Sequence, residues 1–226
     1  MKDENTEKLQ IADELEIIKK SLKPLAKPKL KPIDKVDRAL VICLDVSGSM
    51  AGLMDNGESK LHVAWEAFKR ELQPRLSGWH LGILAFGVSE TGGVQWQLPP
   101  TNQADLGYLK EPEAQDGTPL LPALHQAWNW LKKRALGGRI IVISDGMPTV
   151  GGTPDEILEE APKHGIPIDT IGVGKGSSYF DYSPQFLSRL AEVTGGCFTE
   201  VSNVANLIET IRALSPVERP ILGQPK

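Results

Sequence analysis

Residues 39–49, Ala39-Leu40-Val41-Ile42-Cys43-Leu44-Asp45-Val46-Ser47-Gly48-Ser49, run from an unbroken apolar segment straight into one carboxylate and two hydroxyls. The apolar run does not alternate with polar residues, which predicts a parallel strand covered on both faces rather than a half-exposed one. Leaving such a strand, Asp45, Ser47 and Ser49 bring small oxygen donors to one point. Oxygen donors with little negative charge suit a hard divalent cation, Mg²⁺ or Mn²⁺, with positions left open for water or an incoming carboxylate.

Two later segments extend this set. Ile140-Ile141-Val142-Ile143-Ser144-Asp145-Gly146 is a second apolar run that ends in an aspartate. Between the two runs, Asp116-Gly117-Thr118-Pro119 forms a turn ahead of a helical pattern and offers one more hydroxyl. The candidate metal ligands are therefore Asp45, Ser47, Ser49, Thr118 and Asp145. Aspartate and serine after a strand also serve as turn and N-cap residues, and Ser144-Asp145-Gly146 alone reads as a turn. The three segments together carry the metal reading.

From residue 37 onward, strand and helix patterns alternate. Strands are expected at 39–44, 80–87, 94–98, 139–144, 168–172 and 197–201. Helices are expected at 60–76, 120–135, 154–163, 184–194 and 204–214, with a short one near 104–108. This alternation predicts an α/β fold, a mostly parallel sheet flanked by helices. The second and third strands are joined by a loop containing Gly92-Gly93 and are expected to pair as an antiparallel edge hairpin. Ligands of open α/β sheets bind at the carboxyl ends of the strands, where Asp45 and Asp145 fall.

The pattern DxSGS…T…DG in these strand-end contexts resembles the metal-ion-dependent adhesion site of the von Willebrand factor A (vWA) domain family. The resemblance spans about residues 37–214 and follows the family's β/α order. It implies a doubly wound, Rossmann-like six-stranded sheet of order 3-2-1-4-5-6, and an intact site in a bacterial-type single-domain protein. It implies that Ser47 and Ser49 bind the metal directly, that Thr118 joins them in the ligand-competent state, and that Asp45 and Asp145 act mostly through water. The implied function is an adaptor that binds a partner's Asp or Glu through Mg²⁺. An AAA+ ATPase or a component of a stress or defence system is the partner class offered by the resemblance.

Composition sets the remaining bounds. The chain has 226 residues, 40% of them hydrophobic, which is enough for one sizeable core. A net charge of −4 does not point to nucleic acid. No apolar run approaches the ~20 residues of a membrane span. The charged start Met1-Lys2-Asp3-Glu4 lacks a signal peptide's apolar region, so a cytoplasmic location is expected. Cys43 and Cys197, the two cysteines, both read as buried free thiols.

Residues 1–36 form a separate arm. Ile11, Leu15, Ile18, Leu22 and Leu25 make a short heptad seam, and Pro24 ends the helix. A basic, proline-rich linker follows. The helix either packs on the domain's own surface or docks on a partner. Residues 215–226 read as an irregular tail. If the arm dominates, the alternative function is a structural subunit with a fold-stabilising metal.

Enzymatic readings fail on chemistry. An aspartyl-nucleophile phosphatase wants a second acid where Ser47 stands. A serine hydrolase wants G-x-S-x-G, and Asp45 occupies the first glycine position. His62, His80, His125 and His164 show no triad or metal spacing in sequence. The loop Gly172-Val173-Gly174-Lys175-Gly176-Ser177 matches no phosphate-binding motif. Its neighbours Tyr179, Phe180 and Tyr182 either contact a ligand or pack back on the domain. The chain is expected not to be an enzyme.

Overall fold

The computed structural model describes residues 36–71, 79–88, 93–102, 106–174 and 183–214. The chain divides into two units, Met1–Ile33 and Asp34–Lys226, and the described residues all belong to the second. The helical arm (apart from Val36), the end of the 60–76 helix, the loop aromatics and the C-terminal tail lie outside the described residues.

Six strands form one sheet: β1 (Val36–Asp45), β2 (His80–Val88), β3 (Gly93–Thr101), β4 (Ala135–Ser144), β5 (Ile168–Val173) and β6 (Phe198–Val201). Their order is β3-β2-β1-β4-β5-β6. All neighbours are parallel except β2 and β3, which pair antiparallel at the edge, as the sequence predicts. The helices are α1 (Lys60–Glu71), α2 (Leu120–Arg134), α3 (Pro154–Glu160), α4 (Pro184–Thr194) and α5 (Val204–Leu214). Strand β4 starts earlier than its apolar run because Gly137 and Gly138 continue the ladder opposite Arg38 and Ala39.

The continuous apolar runs explain the two-sided burial. Along β1, Leu40, Ile42 and Leu44 point into one core with Leu61, Ala64, Trp65 and Phe68 of α1 and Leu207 and Ile211 of α5. Ala39, Val41 and Cys43 point into the other, against Leu124, Trp128 and Leu131 of α2 and Leu187 and Leu190 of α4. Successive strand side chains alternate between faces, so a run with no polar member must be covered twice. At about 25 cal/mol per Å² of apolar surface, the fully buried Trp65 and Trp128 are among the largest single contributors.

Local chemistry sets several helix ends. Thr153 caps α3 with a full capping box: its hydroxyl accepts the N–H of Glu156, and Glu156 returns a bond to the N–H of Thr153. Gly195 ends α4 in the left-handed conformation, φ 73°, which a side chain rarely adopts. The expected 154–163 helix is instead α3 followed by a 3₁₀ turn, Ala161–His164, because Pro162 cannot donate the hydrogen bond an α-helix would need there. One expectation is corrected: Cys197 is exposed, and β6 begins one residue later at Phe198. Cys197 precedes the ladder, and its main-chain N–H is drawn to buried Asp169 Oδ1 at 2.9 Å.

Two histidines that are far apart in sequence meet between α2 and the 161–164 turn. His125 Nε2 lies 2.9 Å from Glu160 Oε1, and His164 Nε2 lies 3.3 Å from the same oxygen. The His164 ring stacks on Trp128 with centroids 3.8 Å apart. Burial holds the His164 imidazole below the ordinary histidine range, and Lys132 and His125 reinforce this against the opposing pull of Glu160. Burial pushes the Glu160 carboxyl up, but the bonds from His125 and His164 outweigh it and carry the group below the usual glutamate range.

The folded state therefore binds fewer protons than the unfolded chain at both groups, and stability falls as pH falls. The His164 part is lost from the ordinary histidine value of about 6.5 downward. Replacing His164 with Phe, which keeps a ring on Trp128 but does not titrate, is expected to flatten this part of the urea-midpoint profile between about pH 6.5 and 5.

Candidate metal centre

The register of the sheet builds the site. Leu44 pairs with Ile143 across β1 and β4, which sets Asp45 beside Ser144 at the carboxyl ends of two neighbouring strands. Asp45 is fully buried. Its Oδ1 accepts the N–H of Ser47 at 2.8 Å, and its Oδ2 accepts a short bond from the Ser144 hydroxyl. Ser144 was not among the expected site residues, although it stands directly before Asp145. A hydroxyl at the last position of an otherwise apolar strand was the available signal.

Beyond Asp45 the chain turns sharply. Val46 bonds on both sides, its N–H to Phe86 O at 2.8 Å and its carbonyl to the N–H of Gln115 at 2.6 Å. Gly87 of β2 lies against this bend with φ 123°, and a Cβ there would sit 2.9 Å from Ser47 N. Only glycine lets β2 approach the turn so closely. A 3₁₀ turn, Gly48–Ala51, follows and places Ser49 beside Ser47, their hydroxyls 3.0 Å apart.

Asp145 is also fully buried. Its Oδ1 accepts the Ser49 hydroxyl at 2.7 Å, and its Oδ2 accepts Lys60 Nζ at 2.6 Å. Lys60 was likewise not expected at the site. It opens α1, and the 49–60 loop folds back so that Lys60 N–H reaches Gly52 O at 2.9 Å. Ser59 caps the helix, its hydroxyl accepting the N–H of His62 at 3.1 Å.

Thr118 sits on the third loop. Ser47 and Gln115 form an isolated parallel bridge, which brings this loop alongside the first. The Thr118 N–H donates to Thr149 Oγ1 at 2.9 Å, and its carbonyl accepts from Thr149 N–H at 3.2 Å, locking the loop to the segment after Asp145. The loop is also held to α1 by His62 Nδ1 and Glu111 Oε2, 2.7 Å apart. That hydrogen bond to Glu111 raises the His62 imidazole above its ordinary value, outweighing burial. Four of the five expected residues thus share one hydrogen-bonded chain. Thr118 is buried, and the bonds that place it are main-chain ones to Thr149 rather than part of that chain.

The donor set fits a hard divalent cation. Two fully buried aspartates share the cluster, and the ammonium of Lys60 is paired with Asp145 alone. Burial pushes the Asp45 carboxyl up to about 7, against bonds from Ser144 and Ser47 that lower it, and Asp145 adds repulsion. An added cation relieves that repulsion. The free donors are hydroxyls, which suit Mg²⁺ or Mn²⁺. Among the described residues no group of three or more His, Cys, Asp or Glu side chains is placed to hold a metal ion, so any ion here would rest largely on hydroxyls.

Residues 40–147 match the family model of the von Willebrand factor type A domain. The chain is 27% identical over 180 residues to the uncharacterized protein YwmC of Bacillus subtilis (strain 168), covering 72% of this chain and 76% of that protein. Among solved structures, it is similar to the ArnB paralog VWA2 from Sulfolobus acidocaldarius (TM-score 0.62, 22% identity, 80% of this chain). It spans only 46% of that longer chain. It is also similar to the SpRpn10 VWA domain, with a TM-score of 0.60 at 14% identity over 83% of this chain and 100% of that one. At such identities the structural likeness bears on fold. The family match spans residues 40–147, somewhat under half of the chain, and the structural likeness shows the fold.

Replacing Ser144 with Ala removes the buried donor to Asp45 without altering the strand. The expected cost is about 1–3 kcal/mol of unfolding free energy in metal-free buffer, read from urea denaturation.

Proposed function

We propose that this vWA domain is a protein-interaction module whose contact depends on a divalent cation, Mg²⁺ or Mn²⁺. Ser47, Ser49 and Thr118 hold the cation, and Asp45 and Asp145 stand behind them. The observation that carries this reading is the hydrogen-bonded chain Ser47–Ser49–Asp145 at the ends of adjacent strands β1 and β4. When bound, the cation supplies an open coordination position for an Asp or Glu carboxylate of a partner.

The protein's own residues prepare that contact. Asp45 fixes the turn through the Ser47 N–H, and Ser144 fixes Asp45, so both serine hydroxyls are aimed before any ligand arrives. The loops that carry the site also carry exposed apolar side chains: Leu53, Met147 and Val150. Val150 packs against Gly117, one residue from Thr118. Exposed apolar groups beside a polar centre are the usual anatomy of a protein-binding patch. The fitting partner presents an acidic residue flanked by apolar ones, and an AAA+ ATPase or a stress or defence component is the class offered by the family resemblance.

The reading is non-catalytic. His62 is engaged with Glu111, and His125 and His164 with Glu160, so none of these three histidines stands as a general base beside Ser47 or Ser49. No helix among the described residues is long and apolar enough to cross a membrane. The free thiols Cys43 and Cys197 support a reducing compartment, the cytoplasm.

The test is a pull-down from native lysate in Mg²⁺, with elution by EDTA. A partner is expected to be released by the chelator. Ser47→Ala keeps the main-chain N–H that Asp45 needs, so it is expected to stay folded by circular dichroism. The same variant should lose the partner and weaken Mn²⁺ binding roughly tenfold to a hundredfold. Retention of partner and metal by this variant rejects the proposal.

A further inference from the structure

Lys60 is the one residue of the cluster that the metal reading does not use. Its ammonium lies 2.6 Å from Asp145 Oδ2, its side chain is 19% exposed, and Asp145 is fully buried. The side chain reaches the carboxylate past Gly52, where an added Cβ would stand 3.5 Å from Lys60 Cε and 3.7 Å from Nζ. Gly52 and Lys60 are tied by the main-chain bond across the base of the 49–60 loop, so the lysine is delivered to Asp145 by a built turn. A buried carboxylate left unpaired is costly, which makes this ammonium the counter-ion of the metal-free cluster.

We propose that Lys60 is a tethered cation that competes with the divalent ion for Asp145. With the site empty, the ammonium neutralises Asp145 and keeps the loop closed. When a divalent ion binds, it takes over that neutralisation and the hold on Lys60 loosens. A divalent ion adds two positive charges to a centre in which Lys60 already balances Asp145, so the loaded centre attracts an acidic partner far more strongly than the empty one. Lys60 is thus a positioning residue that couples metal occupancy to partner charge. This inference rests on the cation reading given under Proposed function.

The test compares wild type, Lys60→Met and Lys60→Arg by Mn²⁺ titration, with free Mn²⁺ followed by electron paramagnetic resonance, and by thermal unfolding in chelator and in excess Mg²⁺. Lys60→Met removes a like charge from the cation's surroundings and is expected to bind Mn²⁺ about tenfold tighter. Its unfolding midpoint should drop in chelator and recover in Mg²⁺. Lys60→Arg should follow wild type in both measurements. A lysine that only props up the fold would instead leave Mn²⁺ affinity unchanged or weaker in Lys60→Met, and that result overturns the proposal.

A second readout needs no variant. Acetylation of Lys60 in the wild-type protein, mapped by mass spectrometry, is expected to be faster in saturating Mn²⁺ than in chelator, and equal rates overturn the proposal even if Lys60→Met does not fold. Absence of Mn²⁺ binding to wild type removes the cation reading itself and the competition with it. Normal wild-type binding without the Lys60 effects removes this inference alone.

Discussion

Asp45 is a carboxylate with no access to water, and the top of this domain is arranged around that constraint. A buried carboxylate must be given donors by the protein. One comes from its own chain two residues on, which forces the tight turn at Val46–Ser47. The other comes from Ser144 on the adjoining strand, which requires β1 and β4 to be neighbours in the observed register. A one-residue slip would turn Ser144 to the opposite face and strand the carboxylate. The bend in turn needs Gly87 of β2 to lie flat against it. Three adjacent strands are thus locked by one acidic group.

The next layer shows how charge is rationed. Both aspartates spend oxygens on protein donors, and the other polar groups of the cluster are hydroxyls. A cation held by hydroxyls is less neutralised than one held by several carboxylates, as in calcium loops, so it retains more attraction for an external anion. On the proposed reading this is how stability and function are joined. The same buried acids that lock the strands supply the field for the cation, and the weak outer ligands leave it reactive toward a partner. Lys60 adds a third party to the balance by occupying one oxygen of Asp145.

The periphery follows the usual division between a rigid sheet and variable loops. Strand ends carry Asp45, Ser144 and Asp145, where packing fixes them. Loops carry Thr118, Leu53, Met147 and Val150, and the loop of Thr118 is tied to the segment after Asp145 through Thr149. The aspartates are therefore held more firmly than the groups in front of them.

Much of this was legible in the chain. Unbroken apolar runs predict doubly covered parallel strands, and those runs end in Asp45 and Asp145, so the fold and the meeting of these candidate residues at one end of the sheet could both be read. Period-two burial and strand-end chemistry are local properties that need no knowledge of neighbours. The residues that sequence reading missed act across distance. Ser144 looks like part of a turn until β1 lies beside β4, and Lys60 looks like a solvated helix residue until the 49–60 loop folds back on Asp145. His125 and His164 have no meaningful spacing, yet α2 and the 161–164 turn bring them to one oxygen of Glu160. The exposure of Cys197 depended on where the β6 ladder begins, one residue later than its apolar pattern indicated. Sequence by itself determined which groups needed burial and which strands delivered the acids, because those follow from periodicity and solvation. Only the tertiary structure decided which donors and counter-charges met those acids, because hydrogen bonds and ion pairs are set by distances between segments that the order of residues does not encode directly.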